Sequence, residues 1–305
     1  MSSPAISVVL PTYNRAALLE RAIGSVLGQT FRDFELLVVD DASTDATPAL
    51  LASISDPRLR VLRLPQNRGA AGARNAGLRA ARGEWVAFQD SDDEWLPTKL
   101  EQQYGAAREA PAAVGLVLGG YEAVMGAQHV PIIPRHTLAG GPSIPDLLDG
   151  WPIITPTWLV RRRLVDALGG FDETYPCLED WDLVFRLSDR CEIRAVAGPV
   201  LRKHGSLDSV CADPRRMRRA LERILTVHAH RWRNEPRRYA RRLAHLGCLQ
   251  FRAGDRGLAW TTLWRAARHD FWSPATHALL WSSFVGSRAL RLAARLWPRY
   301  SGMTP

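Results

Sequence analysis

Residues 86–95, Val-Ala-Phe-Gln-Asp-Ser-Asp-Asp-Glu-Trp, end an apolar run in three carboxylates, Asp90, Asp92 and Asp93, within four residues. Carboxylates so close raise one another's pKa unless a cation lies among them. Hard oxygen ligands at this spacing suit Mg²⁺ or Mn²⁺, and a divalent ion at a strand tip is a natural grip for a diphosphate. The plain alternative is an acidic turn leading into a helix near Pro97. Three other polar clusters keep the acids company: Pro11-Thr12-Tyr13-Asn14-Arg15, Asp40-Asp41-Ala42-Ser43-Thr44-Asp45, and Asn67-Arg68-Gly69-Ala70-Ala71-Gly72-Ala73-Arg74-Asn75.

Each cluster follows a short β-branched or apolar run, at 6–10, 34–39, 60–64 and 84–88. Helical patterns separate the runs: one carries Leu18, Leu19, Ala22, Ile23, Val26 and Leu27 on one face behind Asn14 as N-cap, one opens at Thr47-Pro48, and one covers 69–82. This alternation predicts βαβ units and a parallel sheet, which delivers its loops at the carboxyl ends of the strands. One edge then presents an aromatic ring, an acid, a glycine-relieved helix start with arginines and a metal-binding carboxylate, the parts needed for base, ribose and diphosphate recognition.

Farther on, 114–129 reads as a strand and 131–152, rich in proline and glycine, as a long irregular connection of the kind that forms lids. A strand over 157–160 and helices over 161–168 and 180–190 follow. Beyond Asp213 the pattern is helical throughout. The chain therefore divides into an α/β domain, 1–212, with a mostly parallel central sheet flanked by helices, and an all-helical extension, 213–305. Within the extension, 239–253 and 258–268 form a helix pair similar to a single tetratricopeptide unit.

The 305 residues, 46% of them hydrophobic, suffice for a sizeable core. Four cysteines without C-x-x-C spacing do not make a disulfide framework and fit a reducing compartment. No basic n-region precedes residues 6–10, which read as a strand rather than a leader, and no run reaches the roughly 18 apolar residues of a spanning helix. A cytoplasmic protein is expected. The formal charge of +9 is uneven, with arginines crowding 215–242 and 288–299 between tryptophans. A solvated face explains that most simply; peripheral contact with the inner membrane face is the alternative, and no nucleic-acid partner is expected.

In combination these motifs resemble an inverting family 2 glycosyltransferase of the GT-A, Rossmann-like fold, over residues 5–210. The resemblance implies that Tyr13 and Asp41 hold the base of a nucleotide-diphospho-sugar, with Pro11, Thr12, Arg15, Arg68, Gly72, Arg74, Asn75 and Ser91 completing the donor site. Asp90-Ser91-Asp92 matches the D-x-D motif, implying ribose contact by Asp90 and Mn²⁺ or Mg²⁺ ligation by Asp92. Gly169-Gly170-Phe171-Asp172-Glu173 followed by Glu179-Asp180-Trp181 matches the later motif, implying Asp180 as catalytic base beside Glu179, with Trp181 as an acceptor-site wall. His204 takes the place of a metal or diphosphate ligand.

The chemistry suits those residue types. An acceptor hydroxyl near neutral pH needs a carboxylate to take its proton, whereas a nucleoside diphosphate leaves without a general acid when cations stabilise its oxygens. Single displacement inverts the anomeric centre, and a UDP-sugar is the expected donor, with a glycan or lipid-linked acceptor. Two other readings compete. A sugar-phosphate nucleotidyltransferase would place a glycine-rich loop where Pro11-Thr12-Tyr13-Asn14 stands. A non-catalytic nucleotide- or membrane-binding module rests on composition alone. Structural roles compete too: Glu179 and Asp180 suit a helix N-terminus electrostatically, and His204 suits a surface position.

Overall fold

Strands β1 (Ile6–Thr12) and β2 (Phe34–Asp40) bury every one of their residues, which is why they read as mostly apolar runs rather than alternating ones. They belong to a computed structural model that describes residues 3–133, 147–148, 153–205, 213–273, 276–277 and 279–281. The connection expected over 131–152 lies mostly outside the described residues, as do Arg288–Arg299 with Trp297.

Two compact units divide the chain, one comprising 1–143, 152–173 and 179–206, the other 144–151, 174–178 and 207–305. In the first unit, α1 (Ala16–Leu27), α2 (Thr47–Ser53), β3 (Leu59–Arg63), α3 (Gly69–Ala80), β4 (Trp85–Phe88), β5 (Glu94–Trp95), α4 (Lys99–Glu109), β6 (Val114–Met125), β7 (Gln128–Ile132), β8 (Leu159–Arg161), α5 (Arg162–Ala167), α6 (Glu179–Ser188) and β9 (Glu192–His204) complete the described elements. Strand order is β3-β2-β1-β4-β8-β6-β9-β5, with β7 paired to β6.

The parallel character is confined to β3-β2-β1-β4 and to the β6–β9 pair. β8 runs antiparallel to both neighbours, and β5 antiparallel to β9. The strand expected over 114–129 is a hairpin, β6 turning at Gly126 into β7, so Pro131 lies in an exposed strand instead of opening an irregular connection.

Alternate residues of β1 serve opposite layers. Ile6, Val8 and Leu10 share an apolar cluster with Leu19, Ile23 and Val26 of α1. Val9 meets α3, where a Cβ on Gly77 would lie 2.4 Å from Val9 Cγ1. That close approach explains why α3 is built of glycine and alanine. At the other end of β1, Ser7 donates to the buried Glu35 at 2.7 Å, and Glu35 also accepts from Arg60 at 2.6 Å and from the Arg82 N–H at 2.8 Å.

The second unit contains α7 (Pro214–Val227), α8 (Pro236–Arg252) and α9 (Arg256–His269). Asp213 caps α7, accepting the Arg215 N–H at 2.8 Å. The helix pair expected here is α8 and α9, each beginning two or three residues earlier than its apolar stripe. Among the described residues no helix is long and apolar enough to cross a membrane.

Candidate active site

Because β1 to β4 run parallel, their carboxyl-end loops emerge at one edge, and side chains of one loop tie down the next. Asn14 is not the N-cap of α1; that position is Arg15. Asn14 instead adopts φ +51° and accepts the Thr44 N–H at 2.8 Å, while its own N–H donates to Ser43 Oγ at 2.9 Å. A short amide side chain tolerates the left-handed region and reaches the neighbouring loop, so the loop won it from the helix. Asp45 takes up part of the capping work, accepting N–H groups from both Thr47 (2.9 Å) and Ala16 (3.3 Å) at the starts of α2 and α1.

Pro11 and Thr12 are buried within β1, and Tyr13 beyond them is 45% exposed. Asp41, buried at the tip of β2, accepts the Arg68 and Gly69 N–H groups, one on each oxygen, both at 2.8 Å. It thereby holds the loop that starts α3. Burial raises the Asp41 pKa, with Asp40 adding to the rise and those two amides opposing it.

Arg74, on α3, joins motifs distant in sequence. One guanidinium nitrogen lies 2.7 Å from Asp90 Oδ1 and the other 2.7 Å from Glu179 Oε1. The side chain is nearly inaccessible to solvent and sits 5.6 Å over the Phe171 ring. Desolvation works against its charge, yet Asp90, Glu179 and the nearby Asp180 raise its pKa above the ordinary arginine value. The acids of Glu179-Asp180-Trp181 are thus brought against the Asp90-Ser91-Asp92 loop through one shared cation. Asp180 Oδ1 also accepts the Trp181 N–H at 2.8 Å.

Asn75, the next residue, fixes the glycine loop. It accepts the Phe171 N–H and donates to the Phe171 carbonyl, both at 2.9 Å, and donates to Glu173 at 3.0 Å. Gly170 passes this side chain at φ +77°, where a Cβ would lie 2.4 Å from Asn75 Oδ1. Gly72 leaves room for Arg68 and Glu173, where one Arg68 guanidinium nitrogen donates to both Glu173 oxygens, at 2.9 and 2.8 Å.

Asp92 is half-buried, as is Ser91. Burial and Asp90 raise the Asp92 pKa, opposed by Lys203 and Arg15. A desolvated hard-oxygen ligand beside a second carboxylate fits Mn²⁺ or Mg²⁺. Among the described residues no three His, Cys, Asp or Glu side chains form a group that could hold a metal ion. His204, at the end of β9, donates its N–H to Asp93 at 3.1 Å and sets Nε2 3.4 Å from Glu94. Burial lowers its pKa and Arg21 lowers it further, against Glu94.

Trp181 is turned inward, edge-on to Phe185 with ring centroids 6.1 Å apart. Three participants were given no role from sequence, Glu173 having been read only as part of the glycine motif. Lys203 places Nζ 3.7 Å from Asp93 Oδ2, Arg21 donates to the Asp92 carbonyl, and Glu173 holds both Arg68 and Asn75. The available signal was thin: Lys203 is one of two lysines in the chain and adjoins His204.

Residues 7–166 match the family description "Glycosyl transferase family 2". The chain belongs to glycosyl transferase family 2. It is 48% identical over 113 residues to the succinoglycan biosynthesis protein ExoO of Rhizobium meliloti, covering 37% of this chain and 32% of that protein. It is 40% identical over 119 residues to UDP-Glc:alpha-D-GlcNAc-diphosphoundecaprenol beta-1,3-glucosyltransferase WfgD of Escherichia coli, covering 39% and 46% respectively. The matched segment thus spans less than half the length of either relative.

In three dimensions the chain is similar to S. aureus TarS residues 1–349 in complex with UDP-GlcNAc, with TM-score 0.64 and 20% identity over 97% of this chain and 92% of that one. It is also similar to the mannosyltransferase PcManGT of Pyrobaculum calidifontis in complex with GDP-Man and Mn²⁺, with TM-score 0.59 and 23% identity over 98% and 82%. The architecture is that of the GT-A fold.

Proposed function

We propose that the protein is an inverting glycosyltransferase that moves a sugar from a nucleotide-diphospho-sugar, a UDP-sugar, to an acceptor hydroxyl in the assembly of a cell-surface polysaccharide or lipid-linked glycan. The observation that carries this reading is the Arg74 bridge. It ties Glu179, the neighbour of Asp180, to Asp90 of the Asp90-Ser91-Asp92 loop, which supports reading the two motifs as parts of one site.

In this reading Tyr13 offers an exposed ring for the nucleobase beside Asp41. Asp90 turns its remaining oxygen to the ribose, and Asp92 holds Mn²⁺ or Mg²⁺, aided by His204. When bound, such an ion supplies positive charge that eases departure of the diphosphate. Asp180 takes the acceptor proton, while Glu179, paired to Arg74, keeps the start of α6 in place. Arg15 and Lys203 add positive potential at the Asp92 end, where the leaving oxygens gather charge. Support for the donor class comes from the UDP-Glc in the name of the E. coli relative and from the UDP-GlcNAc bound to the S. aureus neighbour. A cytoplasmic reaction at the inner membrane face belongs to the same proposal.

The test is UDP release from a panel of UDP-sugars with Mn²⁺ or Mg²⁺ and a diphospholipid-linked sugar acceptor. Turnover is expected with one donor, and Asp180→Asn should lower it by about 10²-fold or more while donor affinity stays. Near-normal turnover in that variant would remove Asp180 from the base role; no release with any donor would overturn the reaction.

A further inference from the structure

Helix α9 turns the wrong kind of surface outward. Its inner face, Ala259, Thr262, Leu263, Ala266 and Ala267, is buried as expected for a packed helix. The opposite face of such a helix is normally charged or polar. Here one exposed flank carries Trp260 and Trp264, 39% and 44% exposed, at i, i+4 spacing with their rings edge to face, and Leu258, 49% exposed, lies on the other flank. Just past the helix, Phe271 and Trp272 are 63% and 84% exposed. Exposed apolar side chains at this density mark an interaction surface, which singly scattered ones do not.

The charge around them is one-sided. Residues 213–305 contain 19 arginines and five acids, a net of +14, whereas residues 1–212 carry 21 basic and 26 acidic residues. No acid occurs within α9, which holds Arg256, Arg265 and Arg268. Four of the five acids are already engaged by arginines outside α9: Asp213 by Arg216, Glu222 and Asp255 by Arg218, and Glu235 by Arg238. Among the described residues neither Arg265 nor Arg268 is paired with a carboxylate.

We propose that the outward face of α9, continued by Phe271 and Trp272, is a docking surface for an anionic phospholipid bilayer. Interfacial helices combine these two features, tryptophan and leucine that settle at the headgroup boundary and arginines that meet lipid phosphates. Arginines alone would suit a nucleic acid equally well; the exposed Leu258 and the paired indoles favour lipid. The inference concerns the helical unit alone and does not rest on the transfer reaction, since every measurement below reads binding without turnover.

The full chain is sedimented with vesicles of phosphatidylcholine alone and with vesicles containing about one third phosphatidylglycerol. At least tenfold stronger partitioning onto the anionic vesicles is expected, declining with salt. Arg265→Glu with Arg268→Glu should weaken it by about tenfold or more, each basic residue near a surface being worth about fivefold. Trp264→Ser with Trp272→Ser should weaken it too and should reduce quenching of tryptophan emission by brominated acyl chains. These positions are solvent-exposed, so circular dichroism should show unchanged melting; a variant pair that does melt early is replaced by the other pair. Equal binding to neutral and anionic vesicles, binding unaltered by both pairs, displacement of the vesicles by single-stranded RNA, or a self-association abolished by the tryptophan changes while vesicle binding persists, would each overturn the proposal.

Discussion

Asp90 and Glu179 approach opposite nitrogens of the Arg74 guanidinium, each at 2.7 Å, so two motifs far apart in sequence share one buried cation. Arginine suits this because its planar fork serves two carboxylates at fixed angles, which an ammonium cannot.

Arg74→Ala should leave both acids facing each other without a counter-charge. Breaking a buried ion pair from one side costs about 3 kcal/mol, so a lower melting temperature is expected together with a fall in kcat. Arg74→Lys should recover part of the stability but little of kcat, because one ammonium cannot hold both acids. Equal recovery of both quantities would show that Arg74 supplies charge rather than geometry. Thermal melts alongside donor kinetics separate the two.

Asp92→Ala should abolish the dependence of donor affinity on Mn²⁺ or Mg²⁺. Calorimetric titration of the UDP-sugar, with metal and then with chelator, reads this directly. Unchanged metal-dependent affinity would move the ligand role away from Asp92.

Gly170→Ala should strain the loop that precedes α6, because a methyl group would press on Asn75 Oδ1 from a backbone at φ +77°. A loss of roughly 1–3 kcal/mol is expected from chemical denaturation. Asn75→Ala should cost a comparable amount, since it strips partners from the buried backbone groups of Phe171. If Gly170→Ala is neutral, the loop is not pinned by Asn75.

Acid stability should depend on Glu35. Burial alone would raise the pKa of this carboxyl, but Ser7, Arg60 and Arg82 donate to it and hold it below the ordinary value. A depressed carboxyl contributes stability that is complete above the unfolded value of about 4.3 and is lost as pH falls through the folded one. The wild-type melting temperature should therefore fall below about pH 4, and Glu35→Gln should lower it at pH 7 while flattening that acid limb. A variant whose acid limb keeps the wild-type slope would place the sensitive group elsewhere.

Much of the architecture was legible because local pattern and burial agree in the first half of the chain. Apolar runs such as 36–39 announce strands covered on both faces, and the glycine–alanine helix announces a close layer. Legibility declined where antiparallel pairing replaced βαβ units. The hairpin of β6 and β7 read as one strand because Gly126 alone marks its turn. Asn14 was misplaced as a cap for a related reason: its partner, the Thr44 N–H, belongs to a different loop, and no local rule anticipates it.

The amino-acid sequence by itself determined which residue types gather at the carboxyl ends of the strands, since parallel order follows from alternating strand and helix, and it determined the family through short motifs dense in Asp, Arg and Gly. Only the tertiary structure decided how those motifs meet. Arg68 goes to Glu173 and Arg74 to Asp90 and Glu179, Trp181 turns into the core while Trp264 and Trp272 face outward, and Lys203 stands beside Asp93. Sequence patterns encode period and propensity along the chain, whereas the choice of partner for a long charged side chain is made by desolvation and geometry across it, where neighbours in space are not neighbours in order.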